Sequence, residues 1–396
     1  MDSTELAKGV YWVGYVDWNC RDFHGYVTDK GVTYNAYLVV DEKTALIDTV
    51  KAPFARQLME NIAAVCPLGE IDYLVVNHGE PDHSGAFGAL RAAAPQAKVV
   101  SSAKGAETLG AYYGFPKEEL TVVKTGDTLS LGQRNLRFIT TPMLHWPDSM
   151  ATYLVEEKIL FSNDGFGQHL ASSERFDDQL EWQTVFHEMK RYYANILMPF
   201  GKVAQKVLDG LRGIELRMVA PSHGVILRNH IDETLAAYAQ WSTGKTVPRV
   251  DVVYDTMWNS TAMMAEAVYQ GALDAGAAAT FKRVRDNTLT DLATDALDAG
   301  AIAVGTSTLN VGMLPSVSMY LDYIAGLKPP ARLGLAFGSY GWRAAGVEQA
   351  AEKMRKMGIE LVTDSPIACW KPGDGVLAQC REAGRKLGER VLALKP

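Results

Sequence analysis

The apolar positions of this chain fall in short runs rich in β-branched and aromatic residues, broken by Gly and Asp turns. "VYWVGYVDW" and "TYNAYLVVDEKTALIDT" read as strands on that ground. A helical spacing follows near 54–65, and then "IDYLVVN" at 71–77 has the pattern of a short buried strand. "AKVVSS", "LTVVKTGDTLSLG", "NLRFITTPML" and "ATYLVEEKILFSND" continue as strands, with helical spacing near 103–112, 178–192 and 202–213. Mixed strands with helices on the outside predict an αββα sandwich.

The pattern changes near residue 245, where "STGKTVP" is a polar, Pro-terminated break. Beyond it "RVDVVYDT", "ATFKRVR", "AIAVGTST", "RLGLAFGS" and "IELVTDSPI" alternate with helical stretches, which predicts a doubly wound parallel sheet. Two domains are therefore expected, 1–245 and 250–396.

Composition narrows the class. The 396 residues are 47% apolar and 21% charged, with a net charge of −7 and no Lys/Arg block. A nucleic-acid or acidic-membrane surface needs a concentrated basic footprint, so neither partner is expected. No apolar run approaches a membrane span, and "MDSTELAKG" has no signal-peptide core. Cys20, Cys66, Cys369 and Cys380 are scattered without a C-x-x-C pair, which argues against disulfide frameworks, thiolate zinc and iron–sulfur centres. A reducing cytoplasm fits, and any metal must be held by His and carboxylates.

"NHGEPDHSGA" (77–86) supplies such groups. It places His78, Glu80, Asp82 and His83 where a strand ends, and His145, Asp164 and His223 follow at the ends of later strand-like runs. Loops at strand ends converge on one edge of a sandwich. Four imidazoles and three carboxylates suffice for two metal ions with one carboxylate bridging. That donor set, lacking thiolate, suits iron, manganese or zinc. Two divalent ions and three carboxylates nearly cancel in charge, and carboxylate-rich ligation also supports ferric iron. A zinc hydrolase more often has His where this chain has Glu80.

H-x-E-x-D-H followed by isolated His, Asp and His resembles the metallo-β-lactamase-like half of the flavodiiron proteins. The resemblance implies that His78, Glu80 and His145 bind one iron, that Asp82, His83 and His223 bind the other, and that Asp164 bridges them. It also implies roles near the pocket for His24, as a hydrogen-bonding group for substrate, and for Tyr193, as a phenol. His169, His187 and His230 read as ordinary packed or surface residues.

The second half has its own site. "VVYDTMWNSTAMMAEAV" runs from strand through a hydroxyl-rich loop into a helix. Thr256, Asn259, Ser260 and Thr261 offer side-chain donors, and the helix N-terminus adds free N–H groups, so a phosphate is held without Lys or Arg. The loop resembles the flavodoxin phosphate loop, with FMN as ligand. No Walker lysine or G-x-G-x-x-G is present, so ATP and NAD fit poorly. Position 259, often glycine in related loops, is Asn, which tolerates left-handed backbone angles. The resemblance places Thr306, Ser307, Thr308, Leu309 and Asn310, and Ser339, Tyr340, Gly341 and Trp342, beside the isoalloxazine ring. Met257, Trp258 and Trp342 are its expected packing partners.

Together the two halves imply an electron relay. FMN takes electrons singly from a separate donor, in this family usually a rubredoxin, and the di-iron centre reduces O2 to water, NO to N2O, or both. The family places one subunit's FMN beside the other's irons in a head-to-tail homodimer, alone or as a dimer of dimers, and the same is expected here. Two rival readings compete: a zinc-loaded metallo-β-lactamase-type hydrolase with an accessory flavodoxin-like domain, and a non-enzymatic flavodoxin-like carrier fused to a degenerate binding domain.

Overall fold

The computed structural model describes residues 3–394 and divides into two compact units, Met1–Tyr193 with Lys202–Ala239, and Ala194–Gly201 with Gln240–Pro396. The division thus falls at 239/240 rather than near 245. The short stretch Ala194–Gly201 groups with the second unit, which no local sequence pattern announces.

The first unit is built on two sheets. One comprises β1 (Thr4–Ala7), β2 (Val10–Trp12), β3 (Tyr37–Val39), β4 (Thr44–Ile47), β5 (Ile71–Val75), β6 (Lys98–Ser102) and β7 (Leu120–Val123), in that spatial order. The first four pair antiparallel, and β4 through β7 are parallel. The other comprises β8 (Thr128–Ser130), β9 (Asn135–Thr140), β10 (Met150–Leu154), β11 (Ile159–Asn163) and β12 (Met218–Pro221), with only the last pair parallel. "LTVVKTGDTLSLG", which reads as one strand, breaks at the Lys124–Gly126 turn, and its halves join different sheets.

The period-two alternation explains the layering. Tyr37, Val39, Ala45, Ile47, Val75 and Val100 face the second sheet and pack with Phe138, Met150, Ile159 and Phe161. Their neighbours Leu38, Leu46, Leu74 and Val99 turn outward onto Leu58, Ile62, Leu90 and Leu109 of the covering helices. The result is the αββα sandwich that the sequence predicts.

The second unit is a parallel sheet of β13 (Val247–Tyr254), β14 (Ala278–Arg283), β15 (Ala299–Leu309), β16 (Leu333–Tyr340) and β17 (Glu360–Leu361). Its spatial order is β14-β13-β15-β16-β17, the doubly wound order with its switch point between β13 and β15, where such sheets bind ligands. Val250 and Val252 face one helix layer, and Val253, Ile302 and Val304 face the other. "IELVTDSPI" yields only the two residues of β17, then a separate strand at Ile367–Cys369.

Helix α1 (Ser260–Asp274), which carries the end of the hydroxyl-rich loop, is clamped by the C-terminal helix α2 (Asp374–Leu392). The two approach backbone to backbone. A Cβ on Gly271 would lie 1.9 Å from the Arg381 carbonyl oxygen, and one on Gly384 would lie 2.0 Å from that of Val268. Gly271→Ala must push the helices apart, at a cost of about 1–3 kcal/mol, lowering the melting temperature by roughly 5 °C. Differential scanning calorimetry of the variant checks this; an unchanged transition would show that the crossing is slack.

Candidate functional site

The seven donor residues of the first unit sit at strand ends. His78 follows β5, and Glu80 precedes a one-turn helix, Pro81–Ser84, that carries Asp82 and His83 with proline at its first position. His145 lies in the loop from β9 to β10, Asp164 directly follows β11, and His223 follows β12. Asn163, left-handed at φ 55°, turns the chain so that Asp164 points back into the site. All are buried except His145, which is partly exposed.

The side chains face one another in two groups about Asp164. Its Oδ2 lies 3.6 Å from His78 Nε2 and 3.5 Å from His145 Nε2, and Glu80 Oε2 stands 3.2 and 3.4 Å from the same two nitrogens. Its Oδ1 lies 3.1 Å from His83 Nε2 and 3.6 Å from His223 Nε2, and Asp82 Oδ2 stands 3.2 and 3.1 Å from those. Three overlapping sets of donors close enough for a metal ion result: His78, Glu80 and His145; His78, His83 and Asp164; and Asp82, His83 and His223.

Partners behind the site fix the rings. His78 Nδ1 is 3.1 Å from Asp148 Oδ1, whose other oxygen accepts the Gly79 N–H at 2.7 Å. His223 Nδ1 donates to the Thr33 carbonyl at 2.7 Å. A carbonyl only accepts, so Nδ1 carries the proton and Nε2 can offer its lone pair to the centre. Tyr192 donates its hydroxyl to Asp164 Oδ1 at 2.8 Å.

The electrostatics are those of a cation site. Burial lowers the proton affinity of the imidazoles, yet hydrogen bonds donated by the protonated ring to the Asp148 and Glu80 carboxylates hold His78 up to about 10. Asp164 and Glu80 likewise outweigh burial to raise His145 to about 10, and the charges of Asp164 and Asp82 hold His83 up to about 9. Burial raises the carboxyls, but the imidazoles outweigh it and hold Asp164 well below the usual range, with Glu80 and Asp82 also lowered. Asp82 Oδ1, Asp164 Oδ2 and His83 Nε2 are buried and make no hydrogen bond of good geometry among the described residues, despite charged groups close by. Orphans of this kind are costly unless an ion satisfies them. The donor set fits two metal ions.

Around this centre the expected helpers separate. His24 occupies the tip of a hairpin (Asp22–Phe23, Tyr26–Val27), left-handed at φ 55° as a two-residue turn requires. It is 59% exposed and reaches Glu80 Oε1 with its Nε2 at 3.1 Å. Tyr193 is buried with its ring 5.0 Å from that of Tyr238, and the phenol that meets Asp164 belongs to its neighbour Tyr192. His169, read from sequence as ordinary, is buried with its ring 4.9 Å from Tyr192 and 5.6 Å from His223, and burial with the nearby His223 holds it neutral. His230 stacks on Trp182 and bonds Asp177, away from the ligands.

The second unit opens a cavity of about 730 Å³ at the sheet's switch point. Met257, Trp258, Ser260, Ser307 to Asn310, and Ser339 to Trp342 line it, joined by Met263, Val311, Arg343, Trp370 and Lys371, which sequence reasoning did not single out. Trp258 and Trp342 are 90% and 87% exposed, at its mouth. Thr306 is not in the lining; its hydroxyl accepts the Leu314 N–H. Thr261 lies beneath the lining, its hydroxyl 2.9 Å from those of both Ser307 and Ser339, tying the three loops together.

The loop at the start of α1 has the makings of an anion cradle. Asn259 is left-handed at φ 64°, as its tolerance for that region allows. The amides of Met257, Trp258, Asn259, Ser260 and Thr261 make no hydrogen bond within the described residues. The Thr256 hydroxyl is buried and also without a partner there. Free amides at a helix N-terminus with an unpartnered hydroxyl fit a phosphate.

Comparison with known proteins agrees with both halves. Residues 32–224 match the ODP family beta lactamase model, and 252–384 match flavodoxin. The chain is 44% identical over 391 residues to a nitric oxide reductase of Moorella thermoacetica, covering 98% of each. Among solved structures it resembles rubredoxin oxygen:oxidoreductase from Desulfovibrio gigas (TM-score 0.96, 38% identity, 99% of each chain). It also resembles the flavodiiron protein of Giardia intestinalis (TM-score 0.95, 38% identity, 99% of this chain and 97% of that one). A likeness of that extent, running through both the ligand-bearing sandwich and the flavodoxin-like sheet, makes this chain a member of the flavodiiron protein family of oxidoreductases.

Proposed function

We propose that the chain reduces O2 to water, NO to N2O, or both, at a di-iron centre in its first unit, with FMN held by the flavodoxin-like unit as the electron relay. The observation that carries this reading is the shared Asp164 carboxylate, with one oxygen toward His78 and His145 and the other toward His83 and His223. When bound, the irons would supply one-electron redox chemistry to the diatomic substrate, and FMN would pass on electrons taken singly from a rubredoxin-like donor. His78, Glu80 and His145 would hold one iron, and Asp82, His83 and His223 the other.

The protein's own groups have definable tasks. Asp148 and the Thr33 carbonyl fix the tautomers of His78 and His223, so their Nε2 atoms stay directed at the centre. Tyr192 orients Asp164 through its Oδ1. His24, in contact with both solvent and Glu80, is placed to carry the protons that either reduction consumes. The zinc hydrolase alternative is disfavoured, since the chain resembles redox enzymes over its whole length.

Two experiments test the reading. At a gas electrode, the photoreduced protein should consume NO, or consume O2 without accumulating H2O2. Asp164→Ala should lose both irons and at least 100-fold of that rate (an order-of-magnitude expectation) while retaining FMN absorbance. NO consumption, or O2 consumption without H2O2, by the iron-free protein would contradict the proposal.

Metal uptake should also release protons. In the metal-free protein His78, His83 and His145 keep their protons to about 9–10, so at neutral pH a metal must displace them. Affinity should therefore rise with pH up to that range. Ferrous titration calorimetry in buffers of different ionisation enthalpy measures the proton count, and pH-independent binding would be the contrary result.

We further infer a cytoplasmic, twofold head-to-tail homodimer. Among the described residues no helix is long and apolar enough to cross a membrane. The exposed Trp258 and Trp342 at the cavity mouth support a covering partner surface. Sedimentation velocity should show a dimer or dimer of dimers, and an active monomer would refute the assembly.

A further inference from the structure

The FMN reading above leaves unexplained what holds the phosphate loop in shape, and the inference here rests on that reading. Directly after β13 stands Asp255, a buried carboxylate. It accepts the Thr256 N–H at 2.8 Å, Arg285 Nε at 2.9 and 2.7 Å, Arg283 Nε at 3.1 Å, and the Ser316 hydroxyl. The two arginines are delivered by strand register, since Tyr254 of β13 lies opposite Arg283, the last residue of β14. Ser316 comes from the first turn of the helix Pro315–Leu327.

Arg285 makes a second contact that Arg283 does not. Its Nη2 donates to the Thr256 carbonyl oxygen at 2.5 Å. The peptide joining Thr256 to Met257 is planar and trans, so this carbonyl and the Met257 N–H point in opposite directions. Holding the oxygen on the guanidinium aims the Met257 N–H away from Arg285. That N–H begins the run of amides, Met257 to Thr261, that have no protein partner, next to the partnerless Thr256 hydroxyl.

We propose that Arg285 is a positioning residue for the flavin phosphate, orienting the Thr256–Met257 peptide so that the Met257 N–H is presented to the phosphate oxygens. Its side chain is 51% exposed, and Asp255 keeps Arg283, Ser316 and the Thr256 amide when Arg285 is removed. The fold does not depend on it. The orientation matters only to a ligand that carries a phosphate, and this separates the proposed role from general bracing of the loop.

The test uses the full chain with its flavin removed, titrated with FMN and with riboflavin, the same ring without the phosphate, by quenching of flavin fluorescence. Wild type should bind FMN the more tightly. Arg285→Met should weaken FMN about tenfold and leave riboflavin within about twofold, and Arg285→Lys, which keeps a donor for the Thr256 carbonyl, should recover most of the loss. Equal weakening of both ligands in Arg285→Met, or no change in either, would overturn the proposal. A wild-type chain that binds riboflavin as tightly as FMN would instead overturn the phosphate reading of the loop.

Discussion

The constraint on which the first unit depends is the enforced proximity of like-functioned donors. Three carboxylates and four imidazoles meet with facing atoms 3.1–3.6 Å apart, most of them buried. Without a cation the three carboxylates can stay charged at such separations only by holding protons on the facing imidazoles. Such a cluster persists where cations complete it, and where a scaffold prevents its relaxation. Here the scaffold is the common edge of two packed sheets, with Asp148 and the Thr33 carbonyl acting as rear anchors.

The second unit meets a related problem by the opposite means. Its anion cradle uses uncommitted amides and hydroxyls rather than charges. These groups must be held apart from one another, and the fold does so from below and behind. The Thr261, Ser307 and Ser339 hydroxyls join the three loops, and Asp255 with its arginines secures the first of them. Close backbone packing at Gly271 and Gly384 then fixes the helix that begins at that loop.

Much of this is legible in the residues because it is local. The strand-to-loop position of His78 to His83, the ordered His145, Asp164 and His223, and the hydroxyl-rich stretch at 256–261 are each visible in a few adjacent letters. What escaped reading depends on phase or register. Tyr192 and Tyr193 are neighbours about 100° apart around a helix, and the chain passes into a π-helical turn at Tyr193–Leu197, so no sequence pattern chooses which phenol faces Asp164. Asp148 stands three residues beyond His145, yet its pairing is with His78, across the fold. Arg285 needs the β13–β14 register, Trp370 needs the short strand Ile367–Cys369, and His169 needs the position of Tyr192.

The central claim is that one carboxylate stands between two irons. Diffraction data from iron-loaded crystals, collected on both sides of the iron absorption edge, address it most directly. The account predicts two anomalous peaks that vanish below the edge, one beside each oxygen of Asp164. A single peak, or peaks with the signature of zinc, would contradict it.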